Sequence, residues 1–186
     1  GLKHIVGVGT AHEIGPYLGA VHEDLPTNPA HPYGTAKDFL RRAQGFYAQE
    51  AGAHSQWLRC FYIVGDDRRN NSIFRKLLDA ADRKEDTFPL NDGEILFDFI
   101  HVAELARQMA RVSSQTAVCG IINCCTGKPE TLKSRVTSFI KEQGLAIKPE
   151  WGAFPLRAYE TRGIWGDRKR LDAANSYHEA SPEPAR

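Results

Sequence analysis

The stretch from Pro32 to Gly52 admits one local structure. Its apolar residues recur at 36, 39/40, 43 and 46/47, which is the spacing of a helix with one buried face. Pro32 stands where a helix starts, since the N–H it lacks is one the first turn leaves unpaired. Gly52 stands where a helix stops. A long amphipathic helix needs a surface to lie on, and the flanking sequence supplies strands. Leu2 to Gly9 (LKHIVGVG) reads as a buried strand followed by Thr10. Trp57 to Val64 is a second strand, ended by Gly65-Asp66-Asp67. Glu94 to Ile100, Thr116 to Cys124 and a short run near Leu145–Lys148 follow the same logic.

Helices alternate with these strands. Ser72 to Arg83 places Ile73, Leu77, Ala80 and Ala81 on one face. Val102, Leu105, Ala106, Met109 and Ala110 define the next helix. Thr131 is placed to cap a helix bearing Leu132, Val136, Phe139 and Ile140, with Gly144 as its stop. A last helix is expected over Asp167 to Ala174, and the polar residues from Ser176 to Arg186 read as a disordered tail. The alternation predicts an α/β chain with a mainly parallel sheet. Gly15 to Pro32, rich in Gly and Pro, reads as a long structured loop of the kind that carries function.

With 186 residues the chain can bury one ordinary core, and 41% hydrophobic with 25% charged residues is a soluble globular composition. A net charge of +1 offers no electrostatic footprint for nucleic acid or a membrane surface. No apolar run reaches membrane-spanning length, and no signal peptide opens the sequence. Cys60, Cys119, Cys124 and Cys125 form no C-x-x-C pair and no disulfide spacing, which favours a reducing cytoplasm. The seven histidines pair with no Cys or carboxylate at metal-ligand spacing, so no metal is expected. The sequence begins at Gly1 and enters a strand at once, which reads as a fragment.

Tyr33 and Lys37 lie one turn apart on the same side of the first helix. An ammonium beside a phenol favours phenolate, and such a tyrosine can move a proton at an alcohol or ketone carbon. Spacing alone is a common coincidence; the surroundings raise its weight. Thr10 ends a core strand at the sheet's carboxyl edge, where open α/β sheets bind ligands. Thr10, Tyr33 and Lys37 can then converge on one carbonyl. Thr10 would hydrogen-bond its oxygen, Tyr33 would move the proton, and Lys37 would lower the phenol's pKa and hold a ribose. A dinucleotide loop at Gly7-Val8-Gly9-Thr10-Ala11-His12 is disfavoured: His12 stands where a third glycine belongs, and Gly15 to Pro32 is no phosphate-binding helix.

Several ordered motifs resemble the extended short-chain dehydrogenase/reductase family, the nucleotide-sugar epimerases, dehydratases and reductases. They are Gly9-Thr10-Ala11-His12-Glu13-Ile14-Gly15, Pro32-Tyr33-Gly34-Thr35-Ala36-Lys37, Arg59-Cys60-Phe61-Tyr62-Ile63-Val64-Gly65, Asp98-Phe99-Ile100-His101-Val102 and Asn123-Cys124-Cys125-Thr126-Gly127. The resemblance spans Leu2 to Leu171. It implies a Rossmann-like sheet, incomplete at the N-terminus, with a small C-terminal substrate-binding region. Residues 1–65 would be the remaining core with the catalytic Thr and Tyr-x-x-x-Lys. Residues 66–175 would mix the substrate region with returning core elements, and 176–186 would be the tail.

The resemblance further implies catalytic Thr10, Tyr33 and Lys37, and bound NAD or NADP contacted by Tyr33, Lys37 and Tyr62. It implies a nucleotide-sugar substrate contacted by His12, Tyr62 and Arg157; Tyr62 stands where the family often has an Asn, and Arg157 where a basic residue meets the diphosphate. The implied activity is that of an NAD(P)-dependent reductase or epimerase, moving a hydride at a sugar ring ketone or alcohol. The alternative is a catalytically silent binding protein or an inactive fragment. The 186 residues alone are expected to be inactive and to expose an apolar sheet edge. A homodimer through the Tyr33 helix, with Phe39, Phe46 and Tyr47, is a further expectation.

Three departures qualify the pattern. The family's Gly-rich phosphate loop belongs to a half not present in this sequence. Phe97 stands where the family often has Arg before Asp-Phe/Tyr-Ile-His-Val. Thr10-Ala11-His12 replaces the Thr-Asp-Glu of dehydratases, with Glu13 one place out of register, which disfavours elimination of water.

Overall fold

A computed structural model describes residues 1–65, 67–156 and 162–180. In chain order the first elements are β1 (His4–Thr10), β2 (Leu18–Val21), α1 (Pro32–Ala51), β3 (His54–Cys60), β4 (Tyr62–Val64) and α2 (Ile73–Asp82). Then come β5 (Thr87–Pro89), β6 (Leu96–Phe97), β7 (Phe99–His101), α3 (Val102–Ser113) and β8 (Gly120–Cys124). The last are β9 (Glu130–Thr131), α4 (Leu132–Glu142), β10 (Lys148–Glu150), β11 (Gly163–Gly166) and α5 (Lys169–Ala180).

The central sheet is parallel, in the order β1-β3-β8. Thr10 and Cys60 are register partners at one end, and Cys60 pairs with Cys124 in turn, so the three strands finish level. A second sheet runs β2-β11-β6-β9, parallel except for β6 with β9. Two parallel pairs, β4 with β7 and β5 with β10, complete the sheets. The expected α/β class and mainly parallel pairing are therefore present.

One face of the central sheet carries a core of Leu58, Ile122 and Cys124 against Leu105 and Val112 of α3 and Leu171 of α5. The other face carries α1. Gly7 permits that approach, since a Cβ there would sit 2.1 Å from Gln44 Oε1 and 2.4 Å from the Trp57 ring. Gln44 Nε2 in return donates to the Gln56 carbonyl at 3.0 Å. A separate core joins Phe74, Leu77 and Leu78 of α2 to Val136 and Phe139 of α4. β1 bonds β3 along one side and no strand along the other among the described residues, and Val6 and Val8 are exposed. No helix among the described residues is long and apolar enough to cross a membrane. All four cysteines are free thiols.

The ends of α1 fall where Pro32 and Gly52 place them, with Gly52 left-handed at φ 61°. Thr131 caps α4 by accepting the Ser134 N–H at 3.1 Å. Four expectations need correction. Trp57 to Val64 is two strands, broken at Phe61 and assigned to different sheets. Glu94 to Ile100 breaks at Asp98 into β6 and β7. The Gly15–Pro32 loop contains β2, whose partner β11 lies far along the chain. The segment from Ser176 is helical as far as Ala180, because α5 continues past its expected end.

Candidate functional site

The site is built on the tip of β1. Thr10 ends the strand and caps a single turn, Ala11–Glu13: its Oγ accepts the His12 N–H at 3.4 Å, and Glu13 Oε1 accepts the Thr10 N–H at 2.8 Å. Glu13 is itself fully buried. Its carboxylate accepts the Trp57 indole N–H at 3.0 and 3.1 Å and the Arg59 Nε–H at 3.3 Å. Gly9 is required beside this cluster, because a Cβ would lie 2.1 Å from Trp57 Nε1 and 2.3 Å from Glu13 Oε1. Two residues of β3 thus hold the turn from below, and Thr10 with it.

The start of α1 closes on the same turn. His31 caps the helix, its Nδ1 accepting the Gly34 N–H at 3.2 Å. Gly34 lies so close to the turn that a Cβ would be 2.5 Å from the His12 carbonyl oxygen. One turn on, Lys37 Nζ donates to the Val8 carbonyl at 2.9 Å. Tyr33 is about half exposed, and its ring meets the His12 ring edge-on at 6.0 Å and lies parallel to the His31 ring at 6.3 Å. The structure therefore brings all three expected residues to one end of β1: Thr10 as its last residue, Lys37 through Val8, and Tyr33 through His12.

A cavity of about 520 Å³ opens beside them. Thr10, Tyr33 and Lys37 do not line it; His12, His31 and Tyr62 do. His12 links the two regions, with Tyr33 on one side and Tyr62 at 5.8 Å on the other. The wall continues through Phe97, 4.1 Å from Tyr62, and Phe99, which meets Phe74 of α2 at 5.9 Å. Asp98, fully buried between Phe97 and Phe99, explains the break in that strand. Its carboxylate accepts the N–H groups of Thr126, Gly127 and Gly166 at 2.8, 2.8 and 3.1 Å. Desolvation by burial, and next the imidazole of His31, hold His12 below the ordinary histidine range.

Arg157 lies outside the described residues. His12 and Tyr62, expected on substrate, do line the cavity. The sequence reading missed His31, whose signal was its place directly before Pro32, and it missed the polar lining residues Lys76 and Asn91. Among the described residues no cluster of His, Cys, Asp or Glu is arranged to hold a metal ion.

The sequence profile of the NAD dependent epimerase/dehydratase family matches residues 1–125. The chain is 45% identical over 168 residues to the dTDP-6-deoxy-L-talose 4-dehydrogenase (NAD(+)) of Aggregatibacter actinomycetemcomitans, covering 89% of this chain and 62% of that protein. It is 28% identical over 167 residues to a UDP-glucose 4-epimerase of Corynebacterium glutamicum, covering 81% of this chain and 51% of that one. Among solved structures, the UDP-N-acetylglucosamine 4-epimerase of Methanobrevibacter ruminantium superposes with a TM-score of 0.81 at 20% identity, over 95% of this chain and 60% of its own. That likeness shows a shared fold. The chain thus spans between half and two thirds of the length of these relatives. With its profile, its nearly half-identical relative and its parallel α/β architecture in agreement, this chain belongs to the NAD dependent epimerase/dehydratase family.

Proposed function

We propose that these residues form the proton-transfer and substrate-binding part of an NAD(P)-dependent enzyme acting on a nucleotide-linked sugar, as an epimerase or a reductase at a ring carbon. The observation that carries this reading is the gathering of Thr10, Tyr33 and Lys37 at the carboxyl end of β1. Tyr33 gives or takes the proton on the sugar oxygen, and its exposure leaves the phenol free to meet one. Thr10, anchored by Glu13, polarises the same oxygen. Lys37, held at the Val8 carbonyl, places positive charge one turn from the phenol.

The donors present suit a dinucleotide: a phenol, an ammonium and a hydroxyl at one strand tip match ribose hydroxyls and a carboxamide. Tyr33, Lys37 and Tyr62 would hold it. Bound there, NAD or NADP would supply the two-electron chemistry, accepting or donating the hydride. NAD is the coenzyme named for the dehydrogenase relative, which favours it here.

The sugar end of the substrate would meet His12 and Tyr62 at the cavity mouth, and Arg157 would meet its diphosphate. Glu13 supports redox chemistry over dehydration. Its carboxylate is taken up by Trp57, Arg59 and the Thr10 backbone, so it stands outside the cavity as a structural group. A second copy docking on α1 would cover Phe39, Phe46 and Tyr47, each more than 70% exposed.

The test follows nicotinamide absorbance and sugar stereochemistry together. A polypeptide of the relatives' full length that carries these residues is incubated with dTDP- and UDP-linked sugars and their keto forms. We expect either a net absorbance change or C4 interconversion without one. Neither change with any sugar would overturn the reading.

A further inference from the structure

The buried indole of Trp57 lies across two glycines of the neighbouring strand. Gly7 is its register partner in β1. A Cβ on Gly7 would come within 2.4 Å of the ring, and one on Gly9 within 2.1 Å of Nε1. Close packing on both glycines fixes the plane of the ring, and with it the direction of its N–H.

That N–H meets the Glu13 carboxylate at 3.0 and 3.1 Å. Glu13 Oε1, the nearer oxygen, also accepts the Thr10 N–H at 2.8 Å. One oxygen thus ties a side chain of β3 to the backbone of Thr10. Arg59 Nε donates to the other oxygen at 3.3 Å. Trp57, Glu13, Arg59 and Thr10 are all buried, so these bonds act in a low dielectric, where they are strong.

Thr10 converts the backbone contact into a hydroxyl direction. A side chain branched at Cβ keeps few rotamers, so fixing the Thr10 backbone limits where its Oγ can lie. Oγ accepts the His12 N–H at 3.4 Å, which leaves the hydroxyl proton to be donated elsewhere. Trp57 is not among the residues that line the 520 Å³ cavity.

We infer that Trp57 is a positioning residue for the reaction: acting through Glu13, its indole N–H sets the direction of the Thr10 hydroxyl towards the sugar oxygen. This rests on the role given to Thr10 above. A ring that only filled space between β1 and α1 would need no donor.

The experiment has two arms, both in a polypeptide of the relatives' full length that carries these residues. The first reads hydrogen exchange at the Thr10 amide. Trp57→Phe is expected to speed it at least about tenfold, with the Val136 amide of α4 unchanged. Replacing the Trp57 indole by benzothiophene, a ring of nearly the same shape without an N–H, is expected to do the same while keeping the packing. An unchanged Thr10 amide would overturn the inference.

The second arm is a double-mutant cycle in kcat with the preferred nucleotide-linked sugar. Thr10→Val is expected to lower kcat about a hundredfold. Trp57→Phe should lower it about tenfold, with KM changed less than about twofold. In the Thr10→Val background, Trp57→Phe should cost less than about twofold, because the hydroxyl it directs is gone. Losses that multiply to about a thousandfold in the double variant would overturn the inference and leave the role of Thr10 intact. Full kcat with the benzothiophene ring would reduce Trp57 to a filler and overturn it likewise. Unchanged kcat in Thr10→Val would remove the role of Thr10 and this inference together.

Discussion

Glu13 and Arg59 form an ion pair at 3.3 Å in which neither side chain has any exposure to solvent. The pair lies directly beneath the Thr10 turn, and two guanidinium nitrogens of Arg59 have no hydrogen-bond partner among the described residues. Burial pulls Arg59 down while the Glu13 carboxylate beside it pushes it back up. Removing one charge leaves the other stranded in a dry interior. Glu13→Gln is therefore expected to destabilise the chain by about 3 kcal/mol, since half of a buried pair costs far more than the intact pair contributes. Urea unfolding with an unchanged m-value checks it. A loss below about 1 kcal/mol would show that water reaches the site.

Two glycines of α1 should respond in opposite directions to alanine. At Gly45 a Cβ would meet nothing within 4 Å, so Gly45→Ala should stabilise by roughly 0.5–1 kcal/mol through helix propensity. Gly34→Ala would press a methyl to 2.5 Å from the His12 carbonyl and must push α1 off the β1 tip. It should destabilise despite the same propensity gain. Paired thermal melts compare them directly.

Much of this was legible in the sequence because its signals are local. Pro32, Gly52 and Thr131 act within one turn, and they mark the helix ends found. The missed features depend on distant residues. The break at Asp98 needs the N–H groups of Thr126, Gly127 and Gly166, which no window around residue 98 contains. β2 exists because Leu18 to Val21 pair with Gly163 to Gly166. The Phe61 break is invisible in an unbroken apolar run, since β3 and β4 differ only in which sheet accepts them. At the site, Thr10, Tyr33 and Lys37 could be named from spacing. The cavity wall could not, because Phe74, Phe97 and His12 meet only through tertiary packing.

The cysteines should divide sharply in alkylation. Burial pushes the Cys60 thiol up to about 11 and those of Cys124 and Cys125 higher still. Thiolate is the reacting form, so these three stay inert in the folded chain. Cys119, half-buried near His54, should be the first modified by iodoacetamide at neutral pH. Peptide mass mapping before and after denaturation reads the order.

His12 gives a pH dependence with a defined sign. Its folded value is held below the ordinary one of about 6.5, so the unfolded chain binds its proton first. Its contribution to stability is complete above the ordinary value. It is lost as pH falls from there towards the lowered folded value, and is constant below that. Stability measured across this window should fall with acid more steeply in the unmodified chain than in His12→Gln. Equal slopes would mean that the two states hold the proton equally.

The most direct measurement concerns Tyr33. In a polypeptide of the relatives' full length carrying these residues, Tyr33→Phe removes one oxygen and leaves the ring that meets His12 and His31. Turnover of the preferred nucleotide-linked sugar should fall at least about a hundredfold, with KM little changed, because a positioned proton donor is lost and binding is not. Unchanged kcat in Tyr33→Phe would contradict the proton role assigned to the phenol.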